Sequence, residues 1–358
     1  MIILAIETSC DDTGIALLKI KTKKAKGKSE LKILSNVVSS QVKLHAKYGG
    51  VWPFLAQREH KKNLPIVFKK ARKEAKNPKV DLIAATSGPG LEPCLWSGVN
   101  FANHLAAELK LPIIPVNHVE AHILVNFLNN FKFPILNLKF LFPAVCLVVS
   151  GGHTQLILMK DIGKYKILGE TRDDAAGECF DKTARILGLG YPGGPAIAAA
   201  AAKKIAHQKK QNQKIKIKLP RPMIHHKNYD FSFSGLKTAV FYDYKTREPE
   251  IRKSKDYIRE MAKEIQQSII DVLIAKTLKA AEDFKVKSII LGGGVAANEK
   301  LRREFKRLSL KEKLTFLVPA KEFCTDNAVM IAVASYFSWL KGKKGLKEIK
   351  ADANLRIR

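Results

Sequence analysis

His118 and His122 stand four residues apart in Asn117-His118-Val119-Glu120-Ala121-His122, after the apolar run PIIPV and at the start of a helical pattern. That spacing puts both imidazoles on one helix face, close enough to share a first-row metal. A zinc-peptidase HExxH motif needs its Glu directly after the first His, where this chain has Val119, so peptidase chemistry is poorly supported. Two imidazoles alone are an incomplete site, or simply two polar side chains at a helix start. Cys324-Thr325-Asp326-Asn327 offers a third ligand between a strand and an apolar helix. Asp326 suits that role, and suits equally an ordinary helix N-cap. Two histidines and one carboxylate with open positions can hold a metal that also binds substrate, and they accept iron or zinc alike.

Other segments suit anions. Ser9 to Asp12 and Ser150-Gly151-Gly152-His153-Thr154 each link two strand-like runs with hydroxyl and backbone N–H donors. Gly292-Gly293-Gly294 follows a strand and precedes a helix opening near Asn298, a place where a nucleotide could approach the backbone. No P-loop motif exists. Gly188 to Gly193 matches GxGxxG but follows a helical stretch and contains Pro192, which rejects a dinucleotide fingerprint. Asp173, Asp174, Glu178 and Asp181 form an acidic run, with Glu178 and Asp181 on one helix face. They suit a ribose, a metal-bound water, or a solvated face neutralised by Lys182 and Arg185.

The elements that must carry these residues repeat. Three β-rich runs from Met1 form a meander, followed by a helix from Arg58 to Lys76, a strand from Val80 to Thr86, a helix from Cys94 to Leu109 and a strand from Leu111 to Val116. Strands at Pro143 to Val149, at QLILMK and at Tyr165 to Glu170 begin the plan again. Helices from Ala176, Pro195 and Lys255 follow, then strands at Lys287 and Thr315 and a closing helix from Asp326 to Lys341. The pattern implies two similar α/β lobes whose strand-turn-strand openings face each other across a cleft.

Over 358 residues, 63 Lys+Arg against 33 Asp+Glu give a net charge of +30. A polyanion partner would explain this, as would a lysine-biased surface that merely solvates. The densest cluster is Lys203 to Arg221. A 46% apolar fraction excludes a disordered chain. The longest apolar runs, Ala196 to Ala202 and Ala328 to Ala334, fall far short of the ~18 residues that span a bilayer. A start without a basic leader, and five scattered cysteines without a CxxC pair, lead us to expect a cytoplasmic protein.

Taken in order, IETSCDDTG, QVKLHAKYGGV, SGPGL, NHVEAH, LVVSGGHTQL, DDAAGECFDKTARILGLGYPGGP, PRPM, FSFSGLKTA, LGGGVAAN and FCTDN resemble the TsaD family over nearly the whole chain. These are the tRNA N6-adenosine threonylcarbamoyltransferases, and the segments are closest to the bacterial and organellar branch.

The resemblance implies a two-lobed fold of the actin, Hsp70 and sugar-kinase (ribonuclease H-like) type. Residues 1–117 with 327–358 would form one lobe, and 118–326 a second carrying most of the site. It implies a divalent metal, Fe2+ with Zn2+ as the other choice, on His118, His122 and Asp326. It places threonylcarbamoyl-AMP along Val148, Val149, Ser150, Gly151 and Gly152, with Ser150 to Gly152 at the phosphate, Asp181 at the ribose, and Gly194 and Asn298 on the adenine side. Asp11 matches a position beside the reacting carbonyl. The implied partners are tRNA, a TsaB-like paralogue, through helices such as Arg58 to Lys76, and a TsaE-like small ATPase, with neither DNA nor membrane. Phe54 and Ala198 replace residues that are usually acidic in the family. A kinase or ATPase of the same fold, or a non-catalytic tRNA-binding scaffold, is the alternative.

Overall fold

The computed structural model describes residues 1–23, 28–128, 135–203 and 215–358. Strands β1 (Ile2–Glu7), β2 (Asp12–Lys23) and β3 (Lys28–Ser40) form the expected antiparallel meander. The short helix α1 (Val42–His45), α2 (Pro53–Glu74), β4 (Leu82–Gly88), α3 (Glu92–Leu109) and β5 (Ile113–Asn117) follow. Strands β4 and β5 add in parallel, giving the order β3-β2-β1-β4-β5.

Helix α4 (His118–Leu124) leads into the second half, where β6 (Ala144–Val149), β7 (Thr154–Asp161) and β8 (Lys164–Glu170) form another meander. Helices α5 (Ala176–Ile186), α6 (Gly193–Ala202), α7 (Ser234–Thr246), α8 (Pro249–Arg252) and α9 (Lys255–Asp283) come next. The chain continues through β9 (Ser288–Gly292), α10 (Glu299–Lys311), β10 (Thr315–Leu317) and α11 (Ala328–Leu340). The order β10-β9-β6-β7-β8 reproduces the first sheet strand for strand. The duplication expected from the sequence is therefore present in the topology.

Strand alternation sorts the side chains into layers. Leu4, Ile6, Ile15 and Leu17 pack with Leu64, Val67, Val99 and Ala102 of α2 and α3. Ile3, Ala5, Ala16 and Leu18 face the other way, onto α4 and α11. In β6, Ala144, Cys146 and Val148 join that same cluster, while Val145, Leu147 and Val149 pack with α5, α7 and α9. Helices α4 and α11 are thus a middle layer shared by both sheets. Helix α11 is apolar on every side, as such a position requires, and is buried from Ala328 to Phe337. The C-terminal segment straps the first sheet through bonds such as Asp352 N to Ser87 O (2.7 Å) and Asn103 Nδ2 to Ile349 O (2.9 Å).

Two departures from the expected elements have identifiable causes. Helix α2 starts at Pro53 rather than Arg58, because Pro is favoured in the first turn and supplies the stop and start at once. Helix α7 has no local side-chain cap. Asp173, sixty residues away, accepts from Phe233 N (2.8 Å) and Ser234 N (3.2 Å) instead, so no nearby signal marked this helix. Among the described residues no helix is long and apolar enough to cross a membrane.

Candidate metal centre and adenylate cleft

Strand β5 ends at Asn117, whose side chain accepts from Glu120 N at 3.1 Å and so starts α4 at His118. One helical turn then brings the two imidazoles together, with ring centroids 4.6 Å apart. Asp326 comes from the loop before α11. It is not the N-cap, the alternative open from the sequence: Asn327 fills that role, accepting from Met330 N at 3.1 Å and donating to Thr325 O at 2.8 Å. Asp326 is thereby left to face the histidines. His122 Nε2 lies 3.2 Å from His118 Nε2 and 3.2 Å from Asp326 Oδ1, and His118 Nε2 is 3.5 Å from the same oxygen.

Two imidazole nitrogens and a carboxylate oxygen thus converge on one point, and this group could hold a metal ion. The tautomer of His118 is set from behind. Its Nδ1 meets Glu7 Oε2 at 3.1 Å and Ser9 Oγ at 3.1 Å, leaving Nε2 for the shared centre. Glu7 is wholly buried and also accepts from Ser9 N (2.5 Å) and Thr86 Oγ1 (2.7 Å). Burial alone would lower the His118 pKa, but Asp326 and Glu7 outweigh it and raise it to about 9. Burial likewise opposes ionisation of Asp326, yet His118 and His122 hold it well below the usual carboxylate range. His153, from the turn between β6 and β7, reaches within 6.2 Å of His118 and is pushed down to about 4 by burial and then by His118.

Glu7 escaped the sequence reading. Its only signal is an acid closing the apolar run IILAI, next to the Ser9 turn expected to bind phosphate. Ser9 in fact serves His118.

The other expected residues separate into groups. Ser150 closes its own turn, donating from N to His153 O (2.8 Å) and accepting from His153 N at Oγ (3.1 Å). Gly151 and Gly152 are exposed, and a Cβ at either would meet open space. Val148 and Val149 bury their side chains in opposite cores, so only their backbone could reach a ligand. The glycine triplet is largely structural: a Cβ on Gly292 would fall 2.5 Å from His122 O, and one on Gly293 2.3 Å from Val149 O. Only Gly294 is open. Asn298 caps α10, accepting from Lys300 N and Leu301 N at 3.1 Å, and donates to Gln266 at 2.8 Å.

The acidic run mostly neutralises itself, with Lys182 bridging Asp174 (2.6 Å) and Glu178 (2.8 Å). Asp181 stands apart. It accepts from Gly193 N at 2.6 Å, and burial raises it to about 6. Gly194 beside it is open.

Asp11 Oδ2 is buried without a hydrogen-bond partner, and burial followed by the charge of Asp326 raises its pKa. Burial lifts neighbouring Asp12 to about 7. Tyr191 is raised by burial and then by the charges of Asp11 and Asp181, so both carboxylates lie within electrostatic reach of one phenol. In the basic cluster, Lys209, Lys210 and Lys214 lie outside the described residues. Arg221 is committed to Glu264 and to Asp271 (2.9 Å), which makes it structural.

A model of the TsaD family, tRNA N6-adenosine threonylcarbamoyltransferase, matches residues 32–333. The chain is 45% identical to the tRNA N6-adenosine threonylcarbamoyltransferase of Thermosipho africanus over 359 residues, covering 100% of both chains. It is 47% identical to that of Thermosipho melanesiensis over 99% of this chain and 98% of the relative. Against that of Syntrophomonas wolfei it is 43% identical over 94% and 92%. Among solved structures, component A of the Acidaminococcus fermentans (R)-2-hydroxyglutaryl-CoA dehydratase superposes with a TM-score of 0.51 at 14% identity, covering 94% of this chain and 99% of that one. Full-length HypF gives 0.56 at 12% identity, covering 97% and 56%. At such identities the likeness shows the fold alone, the duplicated two-lobed α/β architecture of the actin, Hsp70 and sugar-kinase type. The full-length relatives and the family model agree: the chain belongs to the TsaD family of tRNA N6-adenosine threonylcarbamoyltransferases.

Proposed function

We propose that the chain transfers the threonylcarbamoyl group of threonylcarbamoyl-AMP to N6 of the adenosine adjacent to the anticodon in ANN-decoding tRNAs. The new bond joins N6 to the carbamoyl carbon, the bond from that carbon to the phosphate oxygen breaks, AMP carries away the electron pair, and N6 loses a proton. His118, His122 and Asp326 would hold a divalent ion, iron by family resemblance or zinc by the same ligand chemistry, which would supply Lewis-acid polarisation.

The remaining chemistry falls to the cleft. The open turn at Gly151 and Gly152 suits the leaving phosphate. Asp181 suits a ribose hydroxyl, and the open surface at Gly194 the adenine, with Asn298 at its edge. Asp11, whose Oδ2 has no hydrogen-bond partner and whose pKa is raised, is the proton acceptor we assign to the amine. An exocyclic amine is a weak nucleophile, so orientation by the cleft and the tRNA carries much of the rate. The carrying observation is the convergence of two imidazole nitrogens and one carboxylate oxygen in a chain matching the family over its full length.

The lobes we assign are residues 1–117 with 327–358, and 118–326. The TsaB-like and TsaE-like partners follow from family membership. The exposed face of α2, where Ile66 is 59% exposed, is the surface offered to a paralogue. A kinase on this fold is not favoured, because the imidazole pair suits a softer metal than Mg2+. Mass spectrometry of an ANN-decoding tRNA incubated with the protein, partners and threonylcarbamoyl-AMP tests the reading. Modification lost in His118→Ala supports it, and full activity in that variant sinks the metal assignment.

A further inference from the structure

The segment between β3 and α2 carries three large rings that no packing need exposes. Tyr48, Trp52 and Phe54 are 53%, 59% and 74% exposed, and the first two rings lie 5.5 Å apart, tilted by 49°. The segment is firmly anchored. Trp52 N donates to His45 Nδ1 (3.4 Å), and His45 Nε2 pairs with Gln41 Oε1 (3.1 Å). Gln41 in turn donates from its backbone to Asp11 O (3.1 Å) and from its side chain to Ala56 O (3.3 Å). A chain of hydrogen bonds therefore ties the rings to the Asp11 backbone. On the opposite side, a Cβ on Gly49 would lie 2.5 Å from the Arg185 guanidinium, which sets the segment against α5 one turn from Asp181. The segment therefore lies between the Asp11 backbone and the Arg185 turn of α5 that follows Asp181.

Their surroundings are cationic. Lys43 and Lys47 precede the rings, Arg58 follows Phe54 by one helical turn, and Arg185 abuts Gly49. All four are exposed, and none enters an ion pair among the described residues. A protein-binding patch is usually depleted of Lys at its core, whereas rings interleaved with cations suit unpaired bases on a phosphate backbone.

We propose that Tyr48, Trp52 and Phe54 form a stacking platform for an unpaired base of the tRNA anticodon loop, beside the adenosine that enters the cleft. This rests on the functional reading above. Stacking uses the face common to every base, so the platform positions the loop while the cleft selects the adenosine.

The probe is an RNA hairpin copying the anticodon stem-loop, with 2-aminopurine next to the target adenosine. Binding to the parent protein should quench its fluorescence. The double variant Trp52→Ala/Phe54→Ala should lose the quenching and bind the hairpin roughly tenfold to a hundredfold more weakly. Its KM for tRNA should rise by a similar factor while AMP binding stays unchanged, and Trp52→Phe with Phe54 intact should behave as the parent. Equal hairpin binding and quenching by parent and double variant would overturn the platform alone, as would loss of binding to a paralogous partner with RNA binding intact. A parent that, with partners and threonylcarbamoyl-AMP present, neither binds the hairpin nor modifies tRNA would overturn the functional reading and the platform together.

Discussion

At the residue scale, Glu7 stands directly behind the group of His118, His122 and Asp326 that could hold a metal. A buried carboxylate on the far nitrogen fixes the tautomer and basicity of His118, and such outer partners typically carry ten- to a hundredfold of metal affinity. Glu7→Gln keeps the shape but weakens the hold on His118, and should lower affinity in a metal titration by about that factor. An unchanged affinity would reduce Glu7 to a space-filling role. Asp181 supplies a pH signature. Its folded pKa of about 6 stands above the ordinary 3.8, chiefly through burial. Its contribution to stability is therefore fully present below the ordinary value and lost as pH rises through about 6. The parent should lose about 2–3 kcal/mol across that window relative to Asp181→Asn, read from denaturant unfolding of both proteins at several pH values. Parallel pH profiles would contradict the burial account.

At the element scale, α4 and α11 matter most because both sheets lean on them. Ile331 is wholly buried in α11 within the shared cluster. Ile331→Ala should cost about 2–5 kcal/mol in denaturant unfolding, with both lobes melting in one transition. A small loss confined to one lobe would mean that the middle layer is not shared. The meander, the duplication and the His118/His122 face were legible in the sequence, because strand alternation and helical spacing are local signals. Asp326 was legible only as one of two roles, since helix capping and metal binding use the same carboxylate and Asn327 decides between them. Glu7, the Asp173 cap of α7 and the filling of Gly292 and Gly293 by backbone from elsewhere were not legible. Each depends on a partner far away in the chain.

At the scale of the whole molecule, a +30 charge would serve a polyanionic substrate such as tRNA. Binding of tRNA should weaken linearly in log salt, and replacing Lys209, Lys210, Lys214 and Lys216 by Ser should flatten that slope without changing metal content. An equal slope would place the tRNA path elsewhere. If the group of His118, His122 and Asp326 carries threonylcarbamoyl transfer, its metal must set the rate. The most direct measurement is the rate of threonylcarbamoyladenosine formation on an ANN-decoding tRNA, with preformed threonylcarbamoyl-AMP and partners, set against metal content for the parent, the chelated protein and His118→Ala. Rate and metal content should fall together, with activity restored to the chelated parent by added metal and not to the variant. Full transfer by a metal-free protein would contradict it.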